Sequence, residues 1–340
     1  MASRLVEDKI GKFRLQENSA SAPVLLFLPG GPGLSMAMGL LMEHGPFSVA
    51  LNGSLETRIA SWNKKHNVIY IDSPVGTGWS FTDSEEAYAR SQPQIGDELL
   101  QAMLQFFQLF PALRGNDFFV TGESYAGKFV PVLSSAIHVH NVDASEDKKI
   151  NLKGMVIANG FTDPLNQLVY GEFLYALGLV DANGRDEFLA LEQQTRDLIL
   201  QDQHAAADVR RALHVGNNNF TFVSHQVRQY LEDDLTRSQV HLVASLLQDY
   251  RVLIYTGNLD VVCSSVSVQN YLGNLSWSGA QEFRTVRRQH WRTSDGELAG
   301  YVKKFGNLVE VTVRNAGHFP SLDQPERILE LLEKFTGESL

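Results

Sequence analysis

Ser124 stands in the run Gly122-Glu123-Ser124-Tyr125-Ala126-Gly127. A short apolar stretch, Phe118–Val120, precedes it and a helical pattern, Tyr125–His138, follows. A serine hydroxyl can be presented as a nucleophile on a sharp strand-to-helix turn, and such a turn needs small residues on either side of it. Gly122 and Ala126 occupy those places, so the match is to G-x-S-x-A rather than to strict G-x-S-x-G. The pattern by itself has little specificity, since many serines sit in ordinary turns. Its weight comes from the flanking strand and helix.

Acyl transfer by a serine needs a base and an acid to orient that base, in the order Ser…Asp/Glu…His for a layered α/β sheet. Asp260 follows the apolar run Arg251–Tyr255 across Thr256-Gly257-Asn258-Leu259. His318 follows Leu308–Val313 across Arg314-Asn315-Ala316-Gly317. Both thus fall on loops after strands, on the edge that carries Ser124. Two other histidines compete. His290 lies in the charged segment Arg287–Arg292, which reads as a solvated face, and His44, in Glu43-His44-Gly45-Pro46, precedes the serine. The reaction also needs donors for the developing oxyanion. Gly30-Gly31-Pro32-Gly33, directly after Val24–Leu28, can turn backbone N–H groups inward because glycine tolerates the required dihedrals. No metal or organic cofactor is called for, and the single cysteine, Cys263, excludes an intrachain disulfide and a cysteine-rich metal site.

The elements that must hold these residues alternate. Val24–Leu28, Val68–Ile71, Phe118–Val120, Met155–Ile157 and Val252–Tyr255 read as buried strands. Ile95, Leu99, Met103, Phe106, Phe107 and Phe110 recur at helical spacing, and Ile328–Phe335 closes the chain as a helix. Tyr301–Phe305 and Leu308–Val313 flank Gly306-Asn307 as a hairpin, the one antiparallel addition. This is an α/β pattern of mostly parallel strands joined by crossover helices. It predicts one domain over 1–340, with a helical insertion at 164–240 lying as a cap over the C-terminal strand ends. The 340 residues carry 29 basic and 39 acidic side chains, a net charge of −10, and show no basic cluster, which points away from nucleic acid. No apolar run approaches the roughly 20 residues of a membrane span.

Together the motifs resemble the serine carboxypeptidase family, most nearly its vitellogenic-carboxypeptidase-like members. The stretches that carry the likeness are Leu28–Gly33, Glu43–Pro46, Asp72-Ser73-Pro74-Val75-Gly76-Thr77-Gly78, Gly122–Gly127, Gly160–Pro164, Ala316-Gly317-His318 and Asp323-Gln324-Pro325. The resemblance covers nearly the whole chain. It implies an α/β-hydrolase fold and release of C-terminal residues from peptides with a free C-terminus, typically at acid pH. By position it makes Ser124 the nucleophile, His318 the base and Asp260 its orienter. It places the oxyanion between the N–H groups of Gly31 and Tyr125, and the substrate carboxylate against Glu123 and Gly30. An esterase or acyltransferase on the same triad, an α/β-hydrolase aminopeptidase, and a non-catalytic binding scaffold are the competing readings.

The chain departs from the family pattern at four points. Pro29 stands where the family usually has Asn, Pro320 follows the histidine sooner than usual, the cap is short and lacks cysteines, and only 29 residues precede Gly30. These departures predict a weaker preference for the free acid, an open site, an exposed sheet edge and a tendency to self-associate. The resemblance points to the secretory pathway, to a secreted or lysosomal/vacuolar location. Met1–Gln16 lacks the apolar core of a signal peptide and points to the cytosol. Asn52-Gly53-Ser54, Asn219-Phe220-Thr221 and Asn274-Leu275-Ser276 are candidate glycosylation sites if the chain is secreted. Oligomeric state is not legible.

Overall fold

The computed structural model describes residues 20–204 and 223–340. Its strands are β1 (Val24–Leu28), β2 (Phe47–Val49), β3 (Leu55–Thr57), β4 (Asn67–Tyr70), β5 (Phe118–Glu123), β6 (Leu152–Ala158), β7 (Arg251–Gly257), β8 (Gln289–Arg292), β9 (Leu298–Phe305) and β10 (Leu308–Val313). Eight of them form one sheet in the order β4-β1-β5-β6-β7-β10-β9-β8, and β2 and β3 make a separate antiparallel hairpin. β4 through β10 in that order pair parallel, while β10–β9 and β9–β8 are antiparallel. This is the mostly parallel α/β arrangement expected from the alternation of apolar runs, and the α/β-hydrolase fold that the resemblance implies.

Those runs are continuous because both faces of the sheet are covered. Val24, Leu26, Leu28, Val120 and Ile157 point to one side and pack with Leu99, Met103, Phe107, Phe129 and Leu133 from the helices Gln92–Leu109 and Ala126–Asp143. Leu25, Phe27, Phe119, Val156 and Leu253 point to the other and pack with Ile328, Leu331, Leu332 and Phe335 of the helix Pro325–Thr336. A buried leucine or phenylalanine is worth about 1.5–3 kcal/mol, so these two layers are what fixes the sheet.

Three differences from the sequence expectation have physical reasons. β5 runs on through Thr121-Gly122-Glu123, whose polar composition hides a fully buried strand end. The Thr121 hydroxyl there donates to the Leu26 carbonyl at 2.8 Å, so burial leaves it satisfied. The Arg287–Arg292 segment, expected as a solvated face, contains the edge strand β8, in which only Trp291 is buried. β4 begins and ends one residue earlier than Val68–Ile71.

Between β6 and β7 the described residues form the helices Pro164–Gln167, Gly171–Ala176, Ala182–Leu200, His225–Tyr230 and Val240–Leu246. One isolated bridge, Leu34 to Val223, ties this region to the glycine turn. Ala182–Leu200 lies within the insertion expected to be helical. Asn219-Phe220-Thr221 and Met1–Gln16 lie outside the described residues. No described helix is long and apolar enough to cross a membrane.

Candidate active site

Register brings the site together. Leu28 pairs with Gly122, Glu123 with Ala158, Ala158 with Tyr255, and Gly257 with Val313. The C-terminal ends of β1, β5, β6, β7 and β10 are therefore level, and the loops that leave them meet on one edge of the sheet.

Ser124 leaves β5 at a φ of 60°, in the left-handed region that a serine rarely adopts. Its N–H donates to the Ala158 carbonyl at 3.0 Å, and its carbonyl accepts from Gly127 and Phe161 at 2.9 and 2.8 Å. The strained turn is thus held by three backbone bonds. The small neighbours are required by contact as well. A Cβ at Gly122 would lie 2.7 Å from both the Ala126 Cβ and the Val130 Cγ2, so the helix could not approach the strand.

The His318 Nε2 lies 3.0 Å from the Ser124 Oγ, and its Nδ1 lies 2.8 Å from the Asp260 Oδ2. Nδ1–H donating to the carboxylate leaves Nε2 as the acceptor for the serine hydroxyl. Asp260 is 1 % exposed. Burial alone would raise its pKa, but the bond and charge of His318, the Asn159 amide and the Val262 N–H together hold it below the usual carboxylate value. The Asp260 Oδ1 accepts from Val262 N at 2.7 Å and Cys263 N at 3.2 Å. The loop before His318 is braced by Asp323, which accepts from Gly317 N at 2.7 Å, and by Gln324, which donates to the Asn315 carbonyl at 2.8 Å. Pro320, early after the histidine, starts the short helix Pro320–Asp323, where a missing N–H costs nothing.

The glycine turn packs directly on the serine turn. A Cβ at Gly30 would fall 2.6 Å from Tyr125 N and 2.7 Å from the Ser124 Cβ. Gly31 follows at a φ of +108°, open to glycine alone at low cost. Among the described residues, the N–H groups of Gly31 and Tyr125 have no backbone or side-chain acceptor.

The competing histidines sit elsewhere. His44 is buried, stacked on Trp62 with ring centroids 3.7 Å apart, and its Nδ1 lies 3.1 Å from the Tyr70 hydroxyl. Burial pushes its pKa well down, with Arg58 adding to the effect. His290 is exposed on β8, beside Tyr301.

Two residues that the sequence reading did not single out belong to the site. Asn159, directly after β6, donates its amide to the Asp260 Oδ2 and, at 3.1 Å, to the Gly317 carbonyl. Glu43 and Glu123, both buried, lie close enough for each carboxyl to shift the other. Burial pushes Glu43 up to about 7, partly offset by the nearby Glu123 carboxyl and by the charges of His318 and Arg58. Burial also raises Glu123 well above the usual value, and the Glu43, Asp260 and Asp323 charges add to it. Two buried carboxyls this close disfavour double ionisation, which is the direction of both shifts. The signal for Glu43 lay in Glu43-His44-Gly45-Pro46, where the histidine drew the attention.

A buried acid, an imidazole and a serine in series at the C-terminal edge of a mostly parallel sheet define the serine-hydrolase class of the α/β-hydrolase fold. The family follows from comparison. The serine carboxypeptidase family model matches residues 12–208 and 192–338, and the chain belongs to that family. It is 44% identical to the venom serine carboxypeptidase of Apis mellifera, over 93% of this chain and 78% of the relative. It is 37% identical to the vitellogenic carboxypeptidase of Aedes aegypti, over 95% and 79%. It is 34% identical to the probable serine carboxypeptidase CPVL of Homo sapiens, over 95% and 78%. Among solved structures, it resembles Kex1(delta)p, a prohormone-processing carboxypeptidase from Saccharomyces cerevisiae. That match has a TM-score of 0.79 at 22% identity and covers 94% of this chain and 83% of the other, a likeness of fold.

Proposed function

We propose that this serine carboxypeptidase releases C-terminal residues from peptides with Ser124, His318 and Asp260 as its catalytic residues. The observation that carries the reading is the unbroken series Ser124–His318–Asp260 at 3.0 and 2.8 Å. His318 Nε2 takes the Ser124 proton as the Oγ attacks the scissile carbonyl, and the imidazolium is held by Asp260. The carbonyl oxygen, now an anion, accepts from the N–H groups of Gly31 and Tyr125. His318 returns the proton to the leaving amine as the C–N bond breaks, which leaves an acyl-Ser124 ester. Water, deprotonated by the same imidazole, hydrolyses the ester and restores the serine.

Glu123, which burial and the nearby Glu43 bias toward its protonated form, would donate to the substrate's terminal carboxylate, with Gly30 beside it. Pro29, buried at the end of β1, supplies neither a side-chain amide nor an N–H to that carboxylate. This favours a second reading in which esters and amides without a free carboxylate are also hydrolysed.

We read 1–340 as one domain, with 164–240 as its cap over the site. The name of the venom serine carboxypeptidase relative supports a secreted location. Asn52, at the exposed tip of the β2–β3 hairpin, and Asn274, exposed at the end of the helix Ser265–Asn274, are accessible to glycosylation there. The experiment is labelling with a fluorophosphonate probe. Modification of Ser124 supports the catalytic reading, and a folded chain without modification overturns it in favour of a binding scaffold.

A further inference from the structure

Outside the triad, among the described residues, a buried polar and charged cluster joins the cap to the serine turn. Tyr125, one residue after Ser124, and Lys128 lie on one face of the first turn of the helix Ala126–Asp143. The Tyr125 hydroxyl donates to the Asp234 Oδ2 at 3.3 Å. Gln92 donates its amide to the same oxygen at 2.6 Å and to the Tyr125 hydroxyl at 3.3 Å, and its N–H to the Asp234 Oδ1 at 3.3 Å. The Lys128 ammonium donates to the carbonyls of Asp234, Leu235 and Arg237 at 2.7, 2.6 and 2.8 Å. Tyr125, Asp234, Gln92 and Lys128 are each at most 4 % exposed.

Such groups are expensive to bury unless they are paired, so they fix one arrangement of the chain around them. Here the arrangement closes the base of the cap. Gln239 N donates to the Thr162 carbonyl at 3.0 Å, joining the two ends of the inserted segment. The Thr162 hydroxyl donates at 2.9 Å to the Gly127 carbonyl, which has no helical partner because residue 131 is a proline. The first turn of this helix therefore carries the Tyr125 N–H at one end and grips the cap with its side chains.

We propose that Asp234 is a positioning residue for hydrolysis, acting through the Tyr125 hydroxyl to hold the Tyr125 N–H where the oxyanion develops. The inference rests on the reading of Tyr125 N–H as an oxyanion donor. Only the transition state uses that donor fully, so a displaced Tyr125 peptide lowers kcat and leaves substrate affinity alone.

The test compares Tyr125→Phe, Asp234→Asn and the double variant in the full chain. Tyr125→Phe deletes a single hydroxyl and keeps the ring in its pocket, so it remains informative if Asp234→Asn does not fold. Each single variant is expected to lower kcat about tenfold, less than the roughly 10²–10³-fold that follows outright loss of an oxyanion donor. KM should stay within about twofold, and the double variant should be no slower than the worse single one. The rate of Ser124 modification by a neutral fluorophosphonate, whose P=O oxygen occupies the same hole, should fall in proportion. Wild-type kcat and labelling rates in Tyr125→Phe would overturn the role of Asp234, as would a loss confined to KM. Failure of the wild-type chain to be labelled at Ser124 would instead overturn the catalytic reading, and this one with it.

Discussion

Asn159 donates its side-chain amide to the same Asp260 oxygen that faces the His318 Nδ1. The acid thus receives two donors on Oδ2 and two backbone N–H groups on Oδ1, which is why it stays ionised although it is buried. The second bond of Asn159, to the Gly317 carbonyl, ties the loop of the base to the loop of the acid.

Asn159→Ala removes both of these bonds and a third, in which the Asn159 Oδ1 accepts from Gly257 N at 3.3 Å. A hydrogen bond to a charged group contributes roughly 1.5–3 kcal/mol, so kcat is expected to fall on the order of tenfold to a hundredfold. The Asp260 pKa is depressed in the folded chain, so its stabilisation is present above about 3.8, the ordinary value, and is lost as pH falls through the folded value. In Asn159→Ala that loss should begin at higher pH. Acid unfolding followed by circular dichroism measures it, and an unchanged acid midpoint would contradict this account of the Asp260 environment.

Ser124→Ala should abolish hydrolysis of peptide and ester substrates, with a loss of roughly six orders of magnitude in turnover. The melting temperature should hardly move, since a single hydroxyl is deleted from a half-buried turn. Residual turnover near the wild-type value in the folded variant would remove Ser124 from the mechanism.

The Glu43–Glu123 pair makes a prediction about stability. Both pKa values are raised on folding, so the folded state binds more protons than the unfolded one above about 4.5, up to about 7 for Glu43. The pair's contribution is complete below 4.5 and is lost as pH rises through the folded values. His44 and His66, both drawn down by burial, act in the opposite sense over part of that interval. The measurement is therefore a difference. Between pH 5 and pH 8, Glu43→Gln should lose less stability, or gain more, than the wild type in denaturant titrations, and parallel curves would show that the pair binds no extra proton on folding.

Activity should follow the protonation of Glu123. With a peptide acid, kcat/KM should decline through KM as pH rises through the raised pKa of Glu123 and its carboxyl ceases to donate to the substrate carboxylate. The matching peptide amide should hold its activity to higher pH. Because Pro29 offers no donor, the preference for the acid should be modest even at pH 5. Superimposable profiles for acid and amide would take Glu123 out of carboxylate recognition.

Gly122→Ala tests the packing of the serine turn. The added methyl would fall 2.7 Å from Ala126 and Val130, so the helix must move. Overpacking of this kind costs about 1–3 kcal/mol. The displaced helix carries Tyr125, so turnover should fall along with the denaturation midpoint, and a fully active, fully stable variant would show that the close approach is dispensable.

Much of this architecture is local in origin, and to that extent the amino-acid order alone determined it. Short continuous apolar runs specify buried strands, because a strand covered on both faces needs no polar alternation. The hairpin around Gly306-Asn307 and the serine turn carry their own turn chemistry, and loops after strands must leave from the same edge of a parallel sheet. Ser124, Asp260 and His318 could be named for that reason. Elements held by long-range contacts were not legible in this way. The β2–β3 hairpin has an exposed second strand without an apolar face, and β8 buries a single tryptophan among charges that suit a sheet edge. Side-chain partnerships across the fold were hidden for the same reason. Asn159 meets Asp260 across 101 positions, and Lys128 meets the Asp234 carbonyl across 106. Glu43 reads from sequence as an ordinary charged residue. Only the packed structure removes it from water and sets it near Glu123, because burial, the cause that raises it, and the neighbours that partly offset it are properties of the assembled fold.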